Sequence, residues 1–206
     1  MLTLYYAPHT CSLAPYIALE EAKADFNPYK VNFAAGEQNS AKYKELNPKG
    51  RVPALATNKG VMSENVAILS YIAAEFPEAK LAPEDAWHNG LMVAFNAYLA
   101  STVHVNHAHN RRGYRWSDDP AVIEGMTHKV AKNMDDCFTL IEADYLKGPY
   151  VMGKQFTVAD AYLFTIANWM EGDGVDPAKH KRLIEHRALM NSRPAVAKAV
   201  AAHEAK

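Results

Sequence analysis

The chain changes character at residues 77–85. Before that point short apolar runs alternate with helical stretches; after it every periodic stretch has helical spacing. Such a chain is confined to a small α/β unit followed by an all-helical one. Leu2–Tyr6 reads as a short buried strand and residues 13–24 as a helix. A strand is expected over 29–33, a short helix over Ala41–Leu46, and a strand over 52–56. Asn58-Lys59-Gly60 then turns into Val61-Met62. Ser63 is expected to cap a helix that runs to about Phe76. The order is βαβ followed by ββα, giving a first domain of residues 1–77. Pro77 and Pro83 bracket a segment without periodicity, which reads as a linker. Helices are expected over 86–109, 121–146, 157–170, 179–191 and 194–204, forming a second domain of residues 85–206.

The first strand-to-helix turn carries the chemistry. Cys11 and Ser12 stand at the start of the helix, where free backbone N–H groups and the positive end of the helix dipole favour a thiolate. Ser12 adds a hydroxyl. The other cysteine, Cys137, falls inside a helical pattern with Val130, Met134, Leu140 and Ile141 and reads as core, so a disulfide framework is not expected. Pro53 heads a strand. A cis Val52–Pro53 bond there turns the Val52 N–H and C=O outward, to pair with an extended peptide. Ser63-Glu64-Asn65 opens a helix whose N-terminus suits a carboxylate, with Glu64 placed to receive an ammonium.

A net charge of −1 without a basic tract argues against a nucleic-acid partner. Arg111 to Trp116, followed by Asp118 and Asp119, is the densest basic stretch and reads as a solvated helix end. No leader pattern and no run of spanning length is present, so a cytoplasmic protein with no membrane partner is expected. Thr157-x-x-Asp160, preceded by Phe156, is a capping box and reads as structural. His104, His107 and His109 invite a metal reading. His109 is rotated away from the other two and no cysteine or carboxylate completes the set, so no metal is expected.

Four patterns together resemble the cytosolic glutathione transferases, in particular the bacterial beta class, over essentially the whole chain. They are Tyr5-Tyr6-x-Pro8-x-x-Cys11-Ser12-Leu13, the segment from Asn47 to Leu55, Leu99-Ala100-Ser101-x-Val103-His104, and the segment from Gln155 to Phe164. The resemblance implies a thioredoxin-like first domain and glutathione as co-substrate, conjugated to a small hydrophobic electrophile. It implies Cys11, Ser12 and His104 as catalytic residues. It implies Tyr6, Gln38, Val52, Pro53, Glu64 and Asn65 as contacts to glutathione, and a homodimer built on the helix that begins at Trp87. Tyr6 is expected to pack behind Cys11. The family tends to place a lysine after His104, where this chain has Val105, and a basic residue in the loop that here offers Gln38. Two alternatives stand beside conjugation: a glutathione-dependent thiol-disulfide oxidoreductase working through Cys11, and a non-catalytic carrier of hydrophobic ligands.

Overall fold

A computed structural model describes residues 1–204. The first strand, β1 (Leu2–Tyr6), pairs in parallel with β2 (Phe26–Lys30). A parallel pair needs a crossover, here supplied by helix α1 (Leu13–Glu21). After α2 (Ala41–Leu46), strands β3 (Ala54–Thr57) and β4 (Gly60–Ser63) add antiparallel, giving the order β2-β1-β3-β4. Helix α3 (Asn65–Glu75) closes the unit. Leu4 and Leu55 of the sheet, Ile17 of α1, and Ile68, Leu69 and Ile72 of α3 are wholly buried against one another. The βαβ-ββα order and the helical remainder are therefore as expected.

The second strand sits three residues earlier than the alternation at 29–33 predicts. β2 is an edge strand, so most of it is exposed, its burial pattern carries little period, and Pro28 is tolerated. Pairing persists one residue further, with Val31 N donating to Tyr6 O at 2.8 Å. Asn32 then turns the chain: Glu37 accepts from its backbone N–H at 2.7 Å. The start of α3 also differs. Ser63 ends β4, and Glu64 occupies the cap position at φ 77° without a capping side-chain bond. A non-glycine residue held there costs on the order of 1–3 kcal/mol.

The helical half opens with α4 (Ala86–Tyr98), capped by Asp85, and continues through a wider π turn at Leu99–Val103 into α5 (His104–Arg112). The predicted single helix is thus one rod with a π turn at its middle, three residues longer than expected. Helix α6 (Pro120–Leu140) likewise finishes in a π turn at Ile141–Tyr145. Helix α7 (Val158–Ala167) is buried on every face, its two polar residues included: Asp160 belongs to the capping box and Thr165 donates to Ala161 O at 2.8 Å. It ends before the expected Met170, and α8 (Lys181–Asn191) and α9 (Pro194–Glu204) follow.

Residues 77–85 are tied down rather than loose. Leu81 is buried and its carbonyl accepts from Val158 N at 2.9 Å, while Gln155 Nε2 donates to Lys80 O at 2.6 Å. The two halves share one apolar core, in which α1 packs on α7 and α9. Arg193 adds a bidentate pair to Glu21 (2.6 and 2.8 Å) across that seam. The Thr157–Asp160 box forms: Asp160 accepts from Thr157 N at 2.8 Å and also from Val151 N at 2.7 Å, and lies 3.1 Å from His186 Nε2. All of these groups are buried, so the box anchors α7 to its neighbours as well as starting it.

Candidate active site

The residues from the end of β1 to α1 form a tight turn, with His9 at φ 57°. Its polar groups satisfy one another. Ser12 Oγ accepts from Ala7 N at 3.1 Å and lies 3.2 Å from Ala7 O and 2.7 Å from Thr10 Oγ1. Ser12 is wholly buried and makes no side-chain cap. Its hydroxyl is directed into the turn, so the expected donation to a thiolate does not fit its position. Tyr6 is also directed away from the cleft. Its hydroxyl reaches Ala202 O of α9 at 3.5 Å, and its ring lies 5.3 Å from Tyr16 and 4.9 Å from His203. It is a core residue behind Cys11, not a ligand contact.

Cys11 does face the cleft, with Sγ 3.6 Å from Val52 O. Its surroundings act in both directions on the expected thiolate. The first-turn N–H groups are engaged: Ser12 N donates to Thr10 Oγ1, Leu13 N to Thr10 O, and Ala14 N to the carbonyl of Cys11. Burial then dominates and pushes the Cys11 thiol up to about 12, against the opposing pull of Arg112, of the backbone N–H of Cys11 itself, and of Arg51. Burial thus favours the Cys11 thiol over its thiolate, and Sγ is placed to donate to Val52 O.

The opposite edge of the turn is the segment from Asn47 to Pro53. Val52–Pro53 is cis, as expected. The Arg51 carbonyl accepts from Asn47 Nδ2 at 2.7 Å and from the Tyr43 hydroxyl at 2.9 Å, which fixes the approach to Val52. Gly50 has φ 60° and a Cβ there would lie 2.9 Å from Gln38 O, so only glycine fits. Asn65 Nδ2 donates to Cys11 O at 2.9 Å, linking α3 to the thiol turn. Asn65 Oδ1 and Gln38 Oε1 are buried at the cleft without hydrogen-bond partners among the described residues. Glu64 faces the same space, paired at 2.6 Å with Lys49.

Helix α5 forms the facing wall, and the enclosed volume is about 490 Å³. Ala100 and Ala108 keep that wall low and Val105 stands beside His104. His104 Nε2 lies 3.5 Å from Arg112 Nη2. A guanidinium only donates, so Nε2 accepts and the ring proton belongs on Nδ1. Burial, then Arg112, lowers the His104 pKa to about 3, which favours the neutral ring at pH 7. His107 is held by the buried Asp173 at 2.8 Å and stacks on Trp169 at 4.1 Å, while His109 lies against Trp116 at 4.4 Å. Among the described residues no three metal-ligating side chains converge.

The stretch from Arg111 to Trp116 is not simply a solvated helix end. Arg112, Tyr114, Arg115 and Trp116 line the cleft, as do Arg51, Tyr162 and Trp169, and none of these was singled out as functional from sequence. For Arg112 a signal existed. The steps from His104 to Ala108 to Arg112 are four residues each and place all three on one helix face.

Comparison with known proteins fits this cleft. Residues 1–74 match the family model for the glutathione S-transferase N-terminal domain, and residues 106–202 that for its C-terminal domain. A solved glutathione transferase homologue from Sulfitobacter, with bound glutathione, is 44% identical; the alignment covers 96% of each chain with a TM-score of 0.93. The beta-class enzyme of Sphingomonas chungbukensis is 29% identical over 98% of each chain, with a TM-score of 0.86. Glutathione S-transferase GstA of Escherichia coli O157:H7 is 28% identical over the whole length of both chains. With both domain models matched in order and a 44% identical relative aligned over nearly its full length, the chain belongs to the glutathione S-transferase family.

Proposed function

We propose that this chain binds glutathione along Val52 and joins its thiolate to an electrophile held against α5, forming a thioether as the electrophile's leaving group departs or its π bond takes up the electron pair. The observation that carries the reading is the single cleft that joins the cis Val52–Pro53 segment, the N-terminus of α3, Cys11 and the Arg112 guanidinium. The tripeptide backbone pairs with Val52 as an added strand does. Its α-carboxylate meets the start of α3 and Asn65, and its ammonium exchanges with Lys49 for Glu64. Its other carboxylate reaches the side of the cleft where Gln38, Lys49 and Arg51 lie. The sulfur comes to rest near Cys11. Cys11 S–H donates to it, and Arg112 and Arg51 supply the positive field that favours thiolate. The proton leaves to water, because His104 is too weak a base to hold it. Lowering the bound thiol from about 9 toward 7 corresponds to about 2.7 kcal/mol of preference for the thiolate. Holding both reactants in one cleft supplies the remaining acceleration.

The protonated state of Cys11 disfavours the disulfide-exchange alternative, which needs a Cys11 thiolate. A cysteine in the turn and the likeness to the Sphingomonas enzyme support the beta class. We assign residues 1–77 and 85–206 as the two domains and place the protein in the cytoplasm as a detoxifying homodimer. No helix among the described residues is long and apolar enough to cross a membrane. On α4, Trp87 and Leu91 are exposed while Phe95, with Leu99 of the following π turn, fills the chain's own core, leaving the exposed pair for the expected dimer face. The test is conjugation of chlorodinitrobenzene by reduced protein. Rates that saturate in glutathione and in electrophile support transfer; glutathione binding without turnover on a panel of electrophiles would favour the carrier.

A further inference from the structure

The cationic end of this cleft has more charge than a tripeptide needs. Among the described residues four that line it are cations (Lys49, Arg51, Arg112 and Arg115), whereas Glu64 is the lone carboxylate and is already paired with Lys49. A bound glutathione thiolate, with two carboxylates, a thiolate and an ammonium, still falls one negative charge short of balance. Arg112 is the telling group. It is half-buried, its Nε is enclosed without a hydrogen-bond partner among the described residues, and its recorded side-chain contact is the weak one to His104. Unpaired guanidiniums in enclosed places are costly. Elsewhere the chain avoids them: Arg193 is forked onto Glu21, Arg187 is paired with Glu171, and Arg182 donates to the carbonyls of Glu142 and Leu146. Burial and the neighbouring Arg115 both press the Arg112 pKa down, which is the signature of a cation lacking its anion.

Resting on the transferase reading above, we infer that the electrophile carries an anionic group, a carboxylate on a planar body, received by Arg112 and Arg115 on the α5 side. The guanidinium fork matches a carboxylate, and the Tyr114 and Trp116 rings, exposed at the same end, offer faces for the planar body. This differs from a hydrophobic electrophile in one measurable respect, which is charge.

The test uses two matched pairs. Calorimetry compares unreactive dinitrobenzoate with dinitrobenzamide on the glutathione-saturated protein and on the free protein. Turnover compares chlorodinitrobenzoate with chlorodinitrobenzamide, each corrected for its uncatalysed reactivity. The wild type should favour the anion by about tenfold or more in both, the size of one charge-assisted hydrogen bond. In Arg115→Gln that ratio should fall severalfold, with a far smaller change in glutathione Kd; in Arg112→Lys, which keeps the charge beside the thiolate but loses the fork, the ratio should fall as well. Equal binding of acid and amide to the wild type would overturn the inference. So would an Arg115→Gln variant that weakens glutathione and depresses both electrophiles in step, because that guanidinium would then belong to the tripeptide. Absence of conjugation would refute the transferase reading separately, since the unreactive pair reports the anion preference without any chemistry.

Discussion

Alkylation of Cys11 tests the least expected feature of the site. Burial places its thiol at about 12 against an ordinary 9.0, so the thiolate fraction at neutral pH is lower by about 1000-fold. A more basic thiolate is also more nucleophilic, and a Brønsted coefficient of about 0.4–0.5 returns part of that loss. The net expectation is alkylation about 30–60-fold slower than for an unperturbed thiol. The assay is iodoacetamide labelling of reduced protein carrying Cys137→Ala, which leaves Cys11 as its sole cysteine, with peptide mass spectrometry to locate the adduct. The pH dependence is more diagnostic than the absolute rate. The rate should keep rising about tenfold per unit through pH 9 and 10, where an ordinary thiol levels off. A plateau with a midpoint at or below pH 8 would refute the reasoning and restore the disulfide-exchange reading.

Ser12→Ala should cost about 1 kcal/mol of stability by denaturant unfolding, from its place in the turn, with only a small change in kcat/KM. A loss of about 100-fold or more would mean that the hydroxyl serves the thiolate after all. His203 is buried with both ring nitrogens unpartnered among the described residues, and burial lowers its pKa to about 4 from 6.5. The unfolded chain therefore binds the extra proton between those values, and stability falls as pH drops from 6.5 toward 4. The loss at pH 5 is about 2 kcal/mol, and His203→Phe should flatten that part of the profile; an unchanged slope would contradict it. Asp160→Ala leaves the Val151 and Thr157 N–H groups and His186 unpaired in the core and should cost about 3 kcal/mol or more in thermal or chemical melts. A change below about 1 kcal/mol would show that the box is only a local cap.

What could be read beforehand was what the sequence states locally. The Thr157–Asp160 box needs only residues three apart, the cis Val52–Pro53 bond follows from the family resemblance of the Asn47 to Leu55 segment rather than from the proline alone, and the switch from alternation to helical period announces the two halves. Misreadings came from context. β2 slipped because an edge strand has little burial period to detect. Ser12 and Cys11 lie in the expected turn, yet the direction of one hydroxyl and the burial of one thiol depend on how that turn packs against Asn65 and Val52. The Arg112 to Trp116 stretch looked solvated because its sequence neighbours are polar. Its role follows from α5 facing the sheet domain, a relation no local pattern encodes.

The most direct measurement is the ultraviolet thiolate band of glutathione bound at saturation, followed as a function of pH. Cys11 stays protonated through the working range, so the band reports the tripeptide alone. The account predicts one glutathione per chain whose sulfur ionises about two pH units below the free peptide. Failure of reduced, folded protein to take up glutathione, or a bound thiol that ionises where the free one does, would contradict it.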